Sequence, residues 1–396
     1  MYDFDKVYNR KGTGCVKWDK QSCFGVKDGL LPFWIADTDF GSLPEILEAI
    51  ETRCKHPIIG YSDYEEHCLK TIQGWYKRRH GWEVPLEALL PGAGVVTSIR
   101  FTLQAVTEDR DKILVFSPVY DPFFEVIKNS NRVIADCPLR EENDIYTINF
   151  ECFEENLKSG VKAVILCNPH NPVGRVWTYE EIEKIADLCA KYSVYLLSDE
   201  IHGDITLYGN KYTTLGKFPQ VYEKLVIYTA ISKTFNMAGL VSSCMMIPNP
   251  KLKDKVEKSL SNAWIFGPNA LAFPAIEAAY TYGDTWVDEQ NQYLSDNADF
   301  VINFIRENMP KVKVTKPEGT FLMWLNFNCF GICSDNLTKL MAEKYGLALG
   351  NGGHYGKQAD RFMRFNIGCS RTILKEGLSL LKRCYDDCKC SCEYIG

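Results

Sequence analysis

The interpretation of the chain starts from one stretch, Thr229-Ala-Ile-Ser-Lys-Thr-Phe-Asn-Met-Ala-Gly-Leu240. It follows the apolar run 224–228, which is typical of a buried strand. Lys233 comes just past this run, among small, hydroxyl and apolar residues and without a neighbouring acid. Burial would lower the pKa of such a lysine and free its amine to attack a carbonyl group. We therefore expect Lys233 to be a reactive lysine at a strand end.

The bulk properties of the chain are those of a globular protein with a large core. It has 396 residues, of which 46% are hydrophobic and 24% charged, and a formal net charge of -6. The acidic balance and the lack of a basic block exclude nucleic acid as an expected partner. The N-terminus does not read as a signal peptide, and no apolar run is long enough to cross a membrane, so we expect a cytoplasmic protein without a membrane partner.

Short apolar runs alternate with helical patterns through the middle of the chain. The predicted strands are 112–116, 132–135, 162–167, 194–197 and 224–228, with helices at 121–128 and 179–191 among them. This alternation predicts an α/β fold with a mostly parallel sheet flanked by helices. Further along, strands near 321–325 and 361–366, a helix at 335–345 and a C-terminal helix from about 371 predict a smaller α+β domain.

Polar or aromatic residues follow these predicted strands. They include Tyr120, Asn171, Asp199, His202, Ser232 and Lys233. Ligands of parallel sheets collect outside the carboxyl ends of the strands, so we expect these side chains to meet there.

A glycine turn precedes one predicted helix. Gly92-Ala-Gly-Val-Val96 leads directly into a helical pattern, and bare N–H groups at a helix N-terminus bind anions. We expect Gly94, Val95 and Val96 to bind a phosphate. The turn lacks the spacing of a dinucleotide fingerprint, which disfavours an NAD-binding enzyme.

The segment 31–40 is rich in aromatic residues and contains Trp34, Ala36 and Asp37. It is either a simple strap packed on the core or the edge of a substrate pocket. The residues alone leave both interpretations open.

Pyridoxal phosphate (PLP) is a carbonyl cofactor whose needs these residues can meet. Lys233 would take the aldehyde, and the glycine turn with Ser232 the phosphate. Tyr120 would stack on the ring, and Asp199 would pair with the ring nitrogen. Asn171 and His202 would bind the phenolic oxygen. Arg364 on a late strand is the candidate clamp for a substrate carboxylate.

Each of these residues also has an ordinary structural role open to it. Asp199 could be a loop charge, Asn171 a turn residue, His202 and Tyr120 core residues, and Arg364 the partner of an acid. Their joint occurrence at strand ends favours the cofactor hypothesis.

The chain resembles the fold-type I PLP enzymes of the class I/II aminotransferase superfamily. The motifs are Asn-Pro-His-Asn-Pro-Val-Gly-Arg (168–175), Ser-Asp-Glu-Ile-His (198–202), Ser-Lys-Thr-Phe-Asn-Met-Ala-Gly-Leu (232–240) and Arg-Phe-Asn-Ile-Gly-Cys-Ser-Arg (364–371). Trp-Ile-Ala-Asp-Thr-Asp-Phe (34–40) and Gly-Tyr-Ser-Asp-Tyr (60–64) resemble the MalY/PatB group of cystathionine β-lyase-like C–S lyases.

This resemblance implies a large PLP-binding domain at 46–284 and a small domain at 285–396, which an N-terminal arm, 1–45, joins. It also implies a homodimer with shared active sites, in which Tyr61 reaches the neighbouring subunit's cofactor. The Gly-rich stretch 351–356 differs from the arginine-bearing loop of the subgroup. We expect it to form, with Tyr355, a pocket wall that selects the substrate.

The function that follows is a PLP-dependent C–S β-lyase that cleaves a sulfur amino acid to thiol, pyruvate and ammonia. An aminotransferase is the alternative, because the same residues support both reactions. A regulatory protein that keeps the fold without catalysis is disfavoured by the intact Lys233 and Asp199.

The 16 cysteines are mostly scattered in apolar segments, as expected of reduced thiols in a cytosolic protein. Four lie close together in the tail, at Cys384, Cys388, Cys390 and Cys392. Their spacing lacks the paired knuckles of zinc sites, so we expect no metal.

Overall fold

The computed structural model describes residues 2–63 and 66–392, and the side chains of this part as far as residue 388. Its helices are α1 Val16–Asp19, α2 Pro44–Lys55, α3 Glu66–Trp75, α4 Val95–Val106, α5 Pro122–Asn129, α6 Phe150–Lys158, α7 Tyr179–Lys191, α8 Ile231–Thr234, α9 Pro250–Asn262, α10 Ala272–Tyr282, α11 Asp284–Asn308, α12 Ser334–Tyr345 and α13 Arg371–Cys392. Its strands are β1 Leu31–Phe33, β2 Leu89–Gly92, β3 Lys112–Val115, β4 Val133–Asp136, β5 Arg140–Glu142, β6 Ile145–Thr147, β7 Ala163–Cys167, β8 Tyr195–Asp199, β9 Leu225–Thr229, β10 Ser243–Met246, β11 Lys313–Thr315, β12 Leu322–Asn326, β13 Leu347–Asn351 and β14 Phe362–Asn366.

A seven-stranded sheet forms the centre of the molecule, with strand order β2-β10-β9-β8-β7-β3-β4. The pairs from β9 to β4 are parallel, and β10 runs antiparallel to both of its neighbours. The predicted α/β fold with a mostly parallel sheet is confirmed. Because β7, β8 and β9 are adjacent and parallel, the residues that follow them come together at one edge of the sheet.

Alternate residues of the central strands pack into two separate cores. In β7, Val164 and Leu166 belong to the larger core and Ala163 and Ile165 to the other. The second core is closed by α4, α5 and α9, and the first by α7 and α10 among others. Both faces of these strands are therefore covered by helices, which explains their continuous apolar sequences.

A second sheet of five strands has the order β1-β13-β14-β12-β11. β1 pairs in parallel with β13, so the N-terminal segment joins strands that lie more than 300 residues later in the chain. β14 lies at the middle of this sheet and carries Arg364. The domain limits given above, at 45 and 284, stay a prediction.

Seven of the described strands have no counterpart among the predicted strands: β1, β2, β5, β6, β10, β11 and β13. β2 and β10 pair at the end of the large sheet, and β13 lies between β1 and β14 in the second sheet. β2 and β13 contain glycine, which weakens the alternating pattern by which strands are recognised.

Candidate active site

Lys233 lies just beyond β9, in the single turn of α8. Its Nζ donates a hydrogen bond to the carbonyl oxygen of Ala36 at 2.7 Å. Burial, with the nearby Arg364 charge, lowers the pKa of Lys233 to about 8. About a tenth of the amine is therefore unprotonated at pH 7, and this is the form that acts as a nucleophile or general base.

An inner cavity of about 220 Å³ surrounds the Lys233 amine. It brings together ten of the predicted site residues: Ala36, Gly94, Val95, Val96, Tyr120, Asn171, Asp199, His202, Ser232 and Lys233. They come from separate loops and strand ends, and the parallel arrangement of β7, β8 and β9 places three of these ends side by side.

The N-terminus of α4 forms one wall of the inner cavity. Gly94 precedes the helix with a φ of 92°, a conformation that glycine adopts without strain. The first N–H groups of a helix have no partner within it, and those of Val95, Val96 and Thr97 begin this 12-residue helix. The wall is therefore suited to an anion, as the glycine turn predicted.

Asp199 ends β8 and lines the same cavity. Burial raises the pKa of Asp199 to about 7, while Lys233 and a hydrogen bond from the Ile201 amide, at 3.1 Å, act in the opposite direction. A buried carboxylate is costly without a cationic partner, so Asp199 is suited to hold a proton on a basic nitrogen of a ligand.

His202 and Asn171 add polar groups, and Tyr120 adds an aromatic ring. Burial and the charges of Lys233 and Arg364 lower the pKa of His202, so its imidazole is neutral at pH 7. The Nδ1 atom of His202 is buried and has no hydrogen-bond partner within the described residues. Burial raises the pKa of Tyr120 to about 12, so its ring carries an uncharged phenol.

An outer cavity of about 790 Å³ adjoins the inner one. The two share Ala36, Tyr120 and Lys233, so the lysine amine lies where they meet. The outer cavity is also lined by the predicted substrate residues Trp34, Tyr355 and Arg364.

Arg364 is held on its strand by two hydrogen bonds. Its guanidinium donates to Oδ1 of Asn171 at 3.1 Å and to the carbonyl oxygen of Trp34 at 2.8 Å, and it lies over the Tyr355 ring. Its Nε is buried without a partner in the described part of the chain. A carboxylate is the group that a fixed guanidinium fork with a free N–H binds best.

The segment 34–39 connects the two halves of the site through its backbone. Its carbonyl groups accept hydrogen bonds from Lys233, Arg364 and Asn366, and Thr38 exchanges hydrogen bonds with Asn236. Of the two interpretations of this segment, the edge of a pocket is the one that the geometry favours, because Trp34 and Ala36 line the cavities.

Asp37 and Tyr61 are the two predicted site residues that the structure does not bring to either cavity. The Asp37 carboxylate is bound by Arg10, with an N–O distance of 2.8 Å. This ion pair holds the Asp37 carboxylate away from both cavities. The geometry therefore does not support a direct contact between Asp37 and the substrate. Tyr61 is fully exposed.

Several lining residues have no clear sequence signal. Thr97, Cys167, Ile201, Val241 and Ser242 line the inner cavity, and Phe24 and Asp121 line the outer one. Asn351 and His354, which also line the outer cavity, belong to the stretch 351–356 that was expected to form a pocket wall. Thr97 could have been found by extending the anion-binding turn by one residue, and Asp121 by its position next to Tyr120.

The residues present fit PLP as the sequence predicted. An amine of lowered pKa, a helix N-terminus, a buried carboxylate and a partnerless imidazole nitrogen line one cavity, and they match an aldehyde, a phosphate, a ring nitrogen and a phenolic oxygen.

No group of metal-binding side chains is found within the part of the chain that the structure describes. Cys384 and Cys388 are buried in α13, and the side chains of Cys390 and Cys392 lie outside the described residues. No helix between residues 2 and 392, apart from the undescribed residues 64 and 65, is long and apolar enough to span a membrane.

The fold and the site define a class of protein, and sequence comparison identifies its family. Residues 31–381 match the model of the aminotransferase class I and II family. The chain belongs to this family.

Among curated relatives, cystathionine beta-lyase PatB of Bacillus subtilis (strain 168) is 40% identical over 96% of this chain and 99% of its own length. Protein MalY of Escherichia coli (strain K12) is 31% identical over 96% of this chain and 97% of its own length.

Solved structures agree with this assignment. A PLP-bound putative aminotransferase from Clostridium difficile 630 superposes with a TM-score of 0.95 at 36% identity, covering 97% of this chain and all of that one. Cystalysin from Treponema denticola, which contains PLP, gives 0.94 at 32% identity, covering 98% and 99%.

Proposed function

We propose that the protein is a PLP-dependent C–S β-lyase of the cystathionine β-lyase type. The observation that carries this proposal is the position of the Lys233 amine. It has a pKa of about 8 and lies where a cofactor-sized cavity meets a larger cavity that contains Arg364. The names of cystathionine beta-lyase PatB of Bacillus subtilis and of a cystathionine beta-lyase of Corynebacterium glutamicum support the lyase assignment.

The residues of the inner cavity would hold PLP in the arrangement that the sequence predicted. Lys233 would bind its aldehyde carbon, and the N-terminus of α4 with Ser232 its phosphate. Tyr120 would cover the ring face, and Asp199 would pair with the ring nitrogen. Asn171 and His202 would bind the phenolic oxygen.

When bound, PLP supplies a conjugated ring that takes up the electron pair left at the substrate α-carbon. Arg364 binds the α-carboxylate and so fixes which substrate bond faces the lysine. The unprotonated Lys233 amine then removes the α-proton. The C–S bond breaks, the thiolate takes a proton, and water is consumed to give pyruvate and ammonia. Asp199 keeps a proton on the nitrogen that it faces, which favours electron withdrawal.

The direct test supplies cystathionine to the purified protein with PLP. A C–S β-lyase releases pyruvate and a free thiol in equal amounts without a second substrate. An aminotransferase, the alternative, instead needs 2-oxoglutarate and forms glutamate from it. Amino transfer without thiol release would overturn the lyase proposal.

A second test concerns the lysine itself. Lys233→Ala is expected to abolish turnover and the visible absorbance that lysine attachment gives to the cofactor. Lys224→Ala is the matched control, since Lys224 lies just before β9 and Lys233 just after it, and it should change neither property. Normal turnover in Lys233→Ala would contradict the assigned role.

We also propose that the enzyme is a cytoplasmic homodimer. Exposed apolar side chains support a partner surface: Ile58, Ile59, Tyr61, Val241, Trp264 and Phe266. Val241 also lines the inner cavity, so one of these exposed apolar residues lies at the site. The 14 cysteines whose side chains are described are all free thiols, as suits a reducing compartment.

A further inference from the structure

Asp121 is a charged residue of the outer cavity to which the proposed reaction gives no role. It lines the outer cavity and not the inner one, whereas its neighbour Tyr120 lines both. Asp121 therefore faces the space beyond the cofactor cavity, into which the side chain of a bound amino acid would extend.

The Asp121 carboxylate is not used to stabilise its helix. Asp121 stands at the N-cap of α5, where an aspartate usually accepts a hydrogen bond from the helix, but its side chain makes no such bond. No other side chain of the described residues forms a hydrogen bond or ion pair with it, and the hydrogen bond that it accepts comes from its own backbone N–H. The carboxylate is thus available to a ligand.

The other charges of the outer cavity have partners. Asp335 accepts a hydrogen bond from the Asn351 amide at 2.7 Å, and Glu343 pairs with Lys339 at 3.8 Å. Arg364 is the clamp for the substrate α-carboxylate. Once that carboxylate is bound, Arg364 no longer serves as the counter-charge of the half-buried Asp121, and the His354 imidazole is the other basic group that acts on it.

Burial raises the pKa of Asp121, which reflects the free-energy cost of keeping this carboxylate charged, and the charges of Arg364 and His354 offset part of that cost. A cationic group on the ligand would offset the rest. The outer cavity, at about 790 Å³, has room for a substituent much longer than the side chain of cysteine.

We infer that Asp121 is a specificity-determining residue that selects S-substituted cysteines whose distal end carries an ammonium group. The inference rests on the proposed lyase function and names its substrate class. The ammonium contacts the Asp121 carboxylate while Arg364 holds the α-carboxylate, so the substrate is bound at both ends. An uncharged substituent of equal length leaves the Asp121 charge unpaired and binds less well.

The test uses two compounds of equal length and shape, S-(2-aminoethyl)-L-cysteine and S-propyl-L-cysteine. In the holoenzyme, kcat/KM for pyruvate formation should favour the ammonium compound by about tenfold or more, as expected for a contact with a charged partner. Asp121→Asn should reduce this preference to about onefold, mainly through a higher KM for the ammonium compound.

Glu125→Gln is the matched control, because it removes the same charge one turn along α5 from an exposed residue that does not line the cavity. It should leave the preference as in the wild type. An equal preference in Asp121→Asn and the wild type, or an equal loss in Glu125→Gln, would overturn the inference.

The experiment distinguishes a failure of this inference from a failure of the proposed lyase function. Pyruvate from S-propyl-L-cysteine tests the lyase reaction alone, whatever Asp121 does. If neither compound is cleaved, titration of the holoenzyme's visible absorbance still gives the two dissociation constants, and their ratio in the wild type and Asp121→Asn decides the inference.

Discussion

The lowered pKa of Lys233 has a consequence for cofactor loading. With a pKa of about 8, the unprotonated fraction of the amine rises about tenfold between pH 7 and pH 9, against about a hundredfold for an ordinary lysine. The rate at which PLP attaches to the cofactor-free protein should follow this fraction. Stopped-flow absorbance at several pH values measures it, and a hundredfold rise would show that Lys233 is not desolvated.

Asp199 should make the cofactor-free protein less stable as the pH rises. Its pKa is raised from 3.8 to about 7, so between these values the folded chain keeps a proton that the unfolded chain has lost. The stabilisation that this proton gives is present below pH 4 and lost as the pH rises through 7, a difference of about 4 kcal/mol.

Asp199→Asn removes this dependence. The cofactor-free variant should be more stable than the wild type at pH 8 and about equally stable at pH 4, in urea unfolding at both pH values. With PLP it should lose most of its activity, because the amide cannot hold the ring nitrogen protonated. Asp254→Asn, on the exposed face of α9, is the control and should match the wild type. Equal stability of Asp199→Asn and the wild type at pH 8 would contradict the cost assigned to the buried charge.

At the scale of elements, the N-terminal turn α1 supports the segment 34–39 through a buried ion cluster. The Lys17 side chain, 1% exposed, lies 2.7 Å from the Asp39 carboxylate, which also binds Arg10 and the Trp18 indole. Lys17 and Arg10 further donate to the backbone carbonyls of Asp37 and Thr38. These bonds fix the backbone whose carbonyl groups contact Lys233 and Arg364.

Lys17→Met should therefore lower the free energy of unfolding by about 3 kcal/mol, since it leaves a buried carboxylate with one cation fewer. It should also raise the KM for the amino acid, because the Trp34 carbonyl that holds Arg364 becomes less fixed. Lys20→Met, at an exposed lysine three residues later, serves as the control. A variant Lys17→Met with the stability and KM of Lys20→Met would refute a positioning role.

The strands and helices that could be predicted are those that their own local sequence pattern identifies. The buried strands β7, β8 and β9 are continuous apolar runs, and the polar residues just after them were found because strand ends are where such residues are unexpected. β13 could not be found, because Leu-Ala-Leu-Gly-Asn ends in glycine and asparagine and has no alternation of apolar and polar residues.

The sequence also could not predict which side chains pair across long sequence separations. The pattern Asp37-Thr38-Asp39 does not indicate which of the two carboxylates faces a ligand. In the structure both carboxylates form ion pairs with Arg10. Likewise, the freedom of the Asp121 carboxylate depends on its failure to cap α5, which only the backbone geometry reveals.

At the scale of the whole molecule, the proposed dimer predicts complementation between subunits. Tyr61→Ala and Lys233→Ala should each be weakly active or inactive alone. When the two are unfolded together and reassembled, the mixed dimers would contain one complete site, and about a quarter of wild-type activity should return.

Tyr120→Ala provides the control for this experiment. Tyr120 lines the same cavity as Lys233 within one chain, so its mixture with Lys233→Ala should recover nothing. Light scattering would establish the dimer independently. If the Tyr61 mixture also recovered nothing, Tyr61 would not act across subunits.

The pairing of β1 with β13 and of Trp34 with Arg364 sets an order of events during synthesis. The Trp34 carbonyl leaves the ribosome 330 residues before the arginine that it must hold. At about 5–20 residues per second, that interval is on the order of half a minute. The N-terminal segment must wait for this time without its sheet partner, so a complete substrate site can form only once nearly the entire chain has been made.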